Sequence, residues 1–385
     1  MPLDPFFAER LRVHRRYLFD QSRRRVRARV VEAWSRVTRL RGAERTASPA
    51  SPAAAGPRAD GGGAVPSARA RHRRAALAWD RSELAAVGVP GPALPTAEYQ
   101  VPVPGHPDVR VRVYRPVASS DTPLAAVVTF FGGAFRIGGI DYPSTDAACR
   151  RRAVALGAVV VAVDYALAPE HRYPTQVEQG IAAIDWLFDT ADSLGVDRSR
   201  IAVSGVSSGA CIAAAVCLAN RDGARHPLVF QVLEVPVVDL TGAHIDVRAT
   251  WALGIPSIFV VRELRSIART YLRSSAQARD SLASPLRASS HSDLPPALIL
   301  TAEYDPLRPQ GDAYGAALRA AGVEAAVVQY RGVTHDVPLF GGALLSARLW
   351  EQQVVGALRS RLGRGADGVE RAESEDAAPG AADRS

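Results

Sequence analysis

Residues Arg200 to Ala219 read RIAVSGVSSGACIAAAVCLA, and the order of residue types in this stretch decides the fold. Ile201, Ala202 and Val203 make a short apolar, partly β-branched run. Gly205-Val206-Ser207-Ser208-Gly209 follows, and then a run of small, apolar, helix-favouring residues. Strand, five-residue turn and helix are the setting that a G-x-S-x-G nucleophile elbow requires. The serine must sit on a tight, strained turn so that its Oγ stands clear of the sheet. Gly205 and Gly209 remove side chains that would collide where strand and helix approach. The helix start then aims its dipole and free N–H groups at the place where negative charge develops. The bare pattern arises by chance in Gly- and Ser-rich chains, so its weight comes from the flanking strand and helix.

Working outward, Ala125–Phe130, Ala158–Val163, Val229–Val235, Ala297–Thr301 and Ala325–Tyr330 are further continuous apolar runs. Such runs fit strands buried on both faces of a mainly parallel sheet. Val109–Tyr114 alternates with period two instead, which predicts an antiparallel edge strand with one wet face. Helical patterns intervene near 143–156, 176–194, 208–221, 309–321 and 341–361. Alternating β and α elements predict an α/β fold, a three-layer sandwich around a mostly parallel sheet. The interval 240–290 breaks the rhythm with Trp251, Ile258–Ala268 and Tyr271-Leu272 in helical spacing. An insertion there belongs over the carboxyl ends of the strands, where open α/β sheets bind ligands.

A serine hydroxyl is a poor nucleophile until a base takes its proton, and the base needs an acid to fix its tautomer. Asp305 follows the strand-like run 297–301, and His335 lies one loop beyond 325–330. Alone, Asp305 reads equally well as a helix cap before Pro306, and His335 as a surface-loop histidine. The order Ser, Asp, His, each after a strand, favours a catalytic set. Upstream, Phe131-Gly132-Gly133-Ala134-Phe135 begins a Gly-rich loop straight after an apolar strand. Its backbone N–H groups suit an oxyanion. A phosphate-binding loop is disfavoured, because both G-x-G-x-x-G and G-x-x-x-x-G-K-[ST] are absent.

From about Tyr99 to Leu362 the chain resembles the hormone-sensitive lipase family of bacterial esterases, which are α/β-hydrolases. The resemblance is carried by Phe131–Phe135, by Val163-Asp-Tyr165-Ala-Leu-Ala168-Pro-Glu-His-Arg-Tyr-Pro174 and by Gly205–Gly209. Leu282–Leu286, Asp305-Pro-Leu307 and Gly332-Val-Thr-His335 continue it. It implies Ser207 as nucleophile, His335 as base and Asp305 as acid. It also implies an oxyanion hole from the N–H groups of Gly133, Ala134 and Ser208, with Gly132 shaping the turn. The expected activity is hydrolysis of small to medium acyl esters with no metal and no organic cofactor. A helical cap from the N-terminus and the insertion near 240–290 is implied too. Three positions depart from the family pattern. Phe131 replaces the His before the glycines, G-V-S-S-G replaces G-D-S-A-G, and Arg308-Pro309 stands where an Asp is common. Losing a backbone donor to an oxyanion costs about 10²–10³ in kcat, and a lost support residue costs less. A non-catalytic ligand-binding relative on the same fold is the alternative; such relatives usually lack a triad member, whereas His335 is present.

The chain has 385 residues, 47% hydrophobic and 22% charged, as expected of a globular protein with a sizeable core. The net charge of +8 is uneven: residues 1–45 hold thirteen Arg against five acids, so the rest is near neutral and no nucleic-acid partner is expected. The chain divides into amphipathic basic helices (1–45), a Pro/Gly/Ser-rich linker (46–68), a connector (69–98), the α/β domain (99–362) and an acidic tail (363–385) expected to be disordered. The basic helices read as a cap with solvated Arg faces, and peripheral contact with an acidic membrane is the sharper rival. A homodimer is compatible with the sequence. Cys149, Cys211 and Cys217 lack metal spacing and read as reduced core thiols. With no signal peptide and no spanning run, the expected location is cytoplasmic.

Overall fold

Valine-rich runs build the centre of the molecule, because β-branched side chains pack well on a pleated surface. The computed structural model describes residues 2–12, 67–116 and 122–363. Two compact units are distinguished, Pro2–His72 and Arg73–Ser385. In the first, residues 5–12 are helical. Residues 13–66 and 364–385, with most of the expected basic helices, linker and tail, lie outside the described residues.

Eight strands form one sheet: β1 Thr96–Val101, β2 Val109–Tyr114, β3 Leu124–Phe130, β4 Val159–Asp164, β5 Val196–Val206, β6 Leu228–Glu234, β7 Ala297–Ala302 and β8 Ala325–Tyr330. Their order is β1-β2-β4-β3-β5-β6-β7-β8. The first two pairings are antiparallel and the remainder parallel. The helices are α1 Ala68–Val87, α2 Pro143–Leu156, α3 Thr175–Thr190, α4 Ser208–Asp222, α5 Val247–Ala252, α6 Ser257–Tyr271, α7 Arg308–Ala320 and α8 Leu345–Leu362. Register assigns them to faces. Phe130 lies beside Gly205, and Val206 beside Glu234. Successive strand residues point to opposite faces. Phe130 approaches Gly180 of α3, whereas Glu234 bonds Arg152 of α2 and Trp350 of α8. The sheet is therefore covered on both sides, as the alternation of β and α segments predicts.

Two strand expectations are corrected. Val109–Tyr114 is paired on both sides, and β1 takes the edge. Its alternation reports a wet face, not a missing neighbour: Arg110 and Arg112 stand on that face, with Arg110 bonded to Asp164 at 2.8 Å. Ala325–Tyr330 is the opposite edge and only partly buried. An apolar run cannot separate a central strand from an edge one, since the missing neighbour is on the hydrogen-bonding side.

Residues 240–290 form α5, α6 and two 3₁₀ turns, Ser275–Arg279 and Pro285–Arg287. Asp246 caps α5 by accepting from the N–H of Arg248 at 2.9 Å. The three cysteines are buried and unpaired. Burial pushes the Cys149 and Cys217 thiols up to about 12, so they are protonated packing groups. Among the described residues no helix is long and apolar enough to cross a membrane.

Candidate active site

β5 ends at Val206 and α4 begins at Ser208, so Ser207 alone makes the turn. Its backbone sits at φ 54 and ψ −116, a conformation that a side chain resists and that neighbours must hold. The N–H of Ser207 donates to the Glu234 carbonyl at 2.8 Å, and its carbonyl accepts from Ala210 and Cys211. A Cβ on Gly205 would stand 2.3 Å from the Gly209 carbonyl oxygen. One on Gly209 would stand 2.2 Å from that of Phe130. Both glycines are thus required by close approach.

The structure brings Ser207, His335 and Asp305 together. His335 Nε2 lies 2.9 Å from Ser207 Oγ, and its Nδ1 lies 2.7 Å from Asp305 Oδ2. A carboxylate can only accept, so Nδ1 donates and the neutral ring leaves Nε2 to accept from the serine. Asp305 is buried, and its other oxygen accepts from the N–H of Leu307 at 2.9 Å. This bond stops short of α7, whose N-cap residue is Leu307 and has no side-chain cap bond, so Asp305 does not cap the helix. The imidazole retains 30% of its surface. Burial works to lower the His335 pKa, but the charge and hydrogen bond of Asp305 outweigh it and raise it to about 9.

The Gly-rich loop approaches the elbow from β3. Gly133, Ala134 and Phe135 all have positive φ (144, 54 and 60). A Cβ on Gly133 would lie 2.0 Å from the Ile137 carbonyl oxygen, and one on Gly132 would lie 3.1 Å from that of Val206. Among the described residues, the N–H groups of Gly133, Ala134 and Ser208 donate to no protein acceptor. Phe131 stacks on Tyr165 with ring centroids 4.0 Å apart. The Tyr165 hydroxyl donates to the Phe131 carbonyl at 2.8 Å. Phe135 stacks likewise on Tyr271 of α6 at 3.8 Å, and Arg136 is ion-paired with Glu263 of the same helix. The loop is thus fastened without a histidine.

A cavity of about 1280 Å³ contains Ser207, His335 and the Gly-rich loop. Val261, Leu264 and Ala268 of α6 line it on the cap side, and Ala76 and Trp79 of α1 also face it. Arg308, one of the departures, bonds Asp246 and Asp312 at 2.9 Å each and so fastens the root of the cap to α7.

Sequence reasoning missed the groups beneath the elbow. Glu234, fully buried, accepts from Trp350 Nε1 at 2.7 Å and pairs with Arg152 at 2.8 Å. Arg152 also holds Glu351 at 2.8 Å. Burial disfavours its charge, yet the two carboxylates hold the Arg152 pKa well above its usual value. Tyr165 lay inside a quoted motif, but nothing local marks it as the partner of Phe131.

Sheet, elbow and flanking helices define an α/β-hydrolase, an enzyme of the serine-hydrolase type. The chain belongs to the hormone-sensitive lipase-like family of that fold: a model of the α/β-hydrolase fold matches residues 127–339. Esterase LipI of Mycobacterium tuberculosis is 35% identical over 268 residues, covering 63% of this chain and 80% of LipI. Ethyl acetate hydrolase of Pseudomonas putida is 35% identical over 255 residues, covering 66% and 78%. Among solved structures, the thermostable carboxylesterase EstE1 from a metagenomic library matches with a TM-score of 0.71. That match has 36% identity and covers 77% of this chain and 99% of that one.

Proposed function

We propose that the chain hydrolyses carboxylic esters with Ser207 as nucleophile, His335 as general base and acid, and Asp305 as the group that orients the imidazole. The hydrogen-bonded line from Ser207 Oγ through His335 to Asp305, 2.9 and 2.7 Å long, carries this reading. Ser207 Oγ bonds to the ester carbonyl carbon while His335 Nε2 takes its proton. The carbonyl oxygen becomes an oxyanion beside the N–H groups of Gly133, Ala134 and Ser208, which have no protein acceptor among the described residues. Such preorganised donors stabilise the transition state without reorganising. The carbon–oxygen bond to the alcohol then breaks, and the leaving oxygen receives the proton from His335. Water repeats the sequence on the acyl-enzyme, releasing the acid and restoring Ser207.

The cavity accepts a small to medium acyl ester, and the esterase names of the relatives support the same bond type. Ser207→Ala should reduce turnover of p-nitrophenyl butyrate to the background given by binding and the oxyanion hole. Turnover equal to that of the parent enzyme refutes the assignment.

A further inference from the structure

We propose that the tip of the cap, Trp251 to Phe259, docks on an anionic lipid surface. This tip joins α5 to α6 and exposes three large apolar side chains within nine residues: Trp251 is 69% exposed, Ile258 68% and Phe259 62%. Large contiguous apolar exposure on a folded chain marks an interaction surface. From Ala249 to Val261 the sequence carries no charge, and exposed Arg248 and Arg262 flank it on either side. Along α6, exposed Ile258, Arg262, Arg265 and Arg269 follow at helical spacing, the last two also lining the cavity that contains Ser207. The one acid of that helix, Glu263, is held by Arg136.

An apolar tip inside an arginine collar is the chemistry of an interfacial element. Tryptophan and aliphatic side chains enter the headgroup boundary, while arginines keep their guanidinium groups at the phosphates. A second copy of this chain is the poorer occupant. A two-fold contact sets the same patch against itself and brings the two arginine collars together. The chain's own Arg-rich first forty-five residues share that sign. The inner face of α6 lines the cavity that contains Ser207, so docking by the tip sets that cavity against the lipid surface. The proposal is independent of the catalytic roles assigned above.

Co-sedimentation of the full chain with vesicles tests it. Phosphatidylcholine vesicles containing phosphatidylglycerol should carry the protein down at low salt. Pure phosphatidylcholine should do so much less, and added salt should release it. Trp251→Ser with Phe259→Ser should weaken sedimentation by at least about tenfold, with the melting temperature and p-nitrophenyl butyrate turnover retained as evidence of an intact fold. Neither residue lines the cavity. Three results overturn the proposal: no preference for phosphatidylglycerol, equal sedimentation of the double variant, or a dimer in sedimentation velocity that the double variant dissociates. Equal sedimentation would move lipid binding to the N-terminal arginines.

Discussion

His335 stands between a hydroxyl that must lose a proton and a carboxylate that keeps the ring positively inclined. Only the neutral imidazole can accept from Ser207. With its pKa raised to about 9, kcat/KM for an uncharged ester should climb with pH and level off above that value. Asp305→Asn removes the charge that does the raising. The rising limb should therefore move to lower pH, while kcat falls by about 10³–10⁴. A pH–rate profile of both proteins checks this, and an unmoved limb would detach Asp305 from the imidazole. The linkage sign is fixed by the same direction. A histidine raised in the fold stabilises it fully below its ordinary 6.5, and that contribution fades as pH rises through about 9.

At the scale of elements, the Gly-rich loop and the layer below the elbow each hold strained backbone by side-chain contact. Phe131 occupies the family's histidine position and replaces a polar brace by a stacked ring over Tyr165. Phe131→Ala should lower kcat about ten- to hundredfold with a smaller change in KM, because misplaced donors harm the transition state more than ground-state binding. Steady-state kinetics on p-nitrophenyl acetate reads that split. Below the elbow, Arg152→Met leaves Glu234 buried without its counter-charge and should cost about 3–5 kcal/mol in denaturant unfolding. Adding Glu234→Met should recover most of that loss, since a packed apolar pair replaces an ion pair at little cost. If the double variant is no more stable than the single one, the pair is not what stabilises this layer.

Across the whole molecule, what could be read from sequence was whatever leaves a local imprint. The buried strands showed as apolar runs, and Asp305 and His335 stood out because each lies just past a strand end. The elbow showed in its two glycines, at both of which an added Cβ would meet backbone at less than van der Waals distance. Edges were misread at β2 and β8, because hydrophobic alternation reports faces and is silent about hydrogen-bonding neighbours. Contacts between distant elements left no imprint. Phe131 and Tyr165 are 34 residues apart, Arg152 and Glu234 82, and Arg152 and Glu351 199. Each of these residues looks unremarkable in its own segment, and only the packed sheet brings them together. The cap shows the same division. Its apolar helical spacing was legible, whereas which side chains face the cavity and which face outward required the fold.

The measurement that bears most directly on the account is mass spectrometry of the full chain after reaction with a p-nitrophenyl alkylphosphonate, which traps an activated serine by displacing p-nitrophenolate. The expected result is one phosphonyl adduct per chain, on the peptide containing Ser207, and none in Ser207→Ala. An adduct on another residue, or an unmodified Ser207 in a protein that still hydrolyses esters, would contradict it.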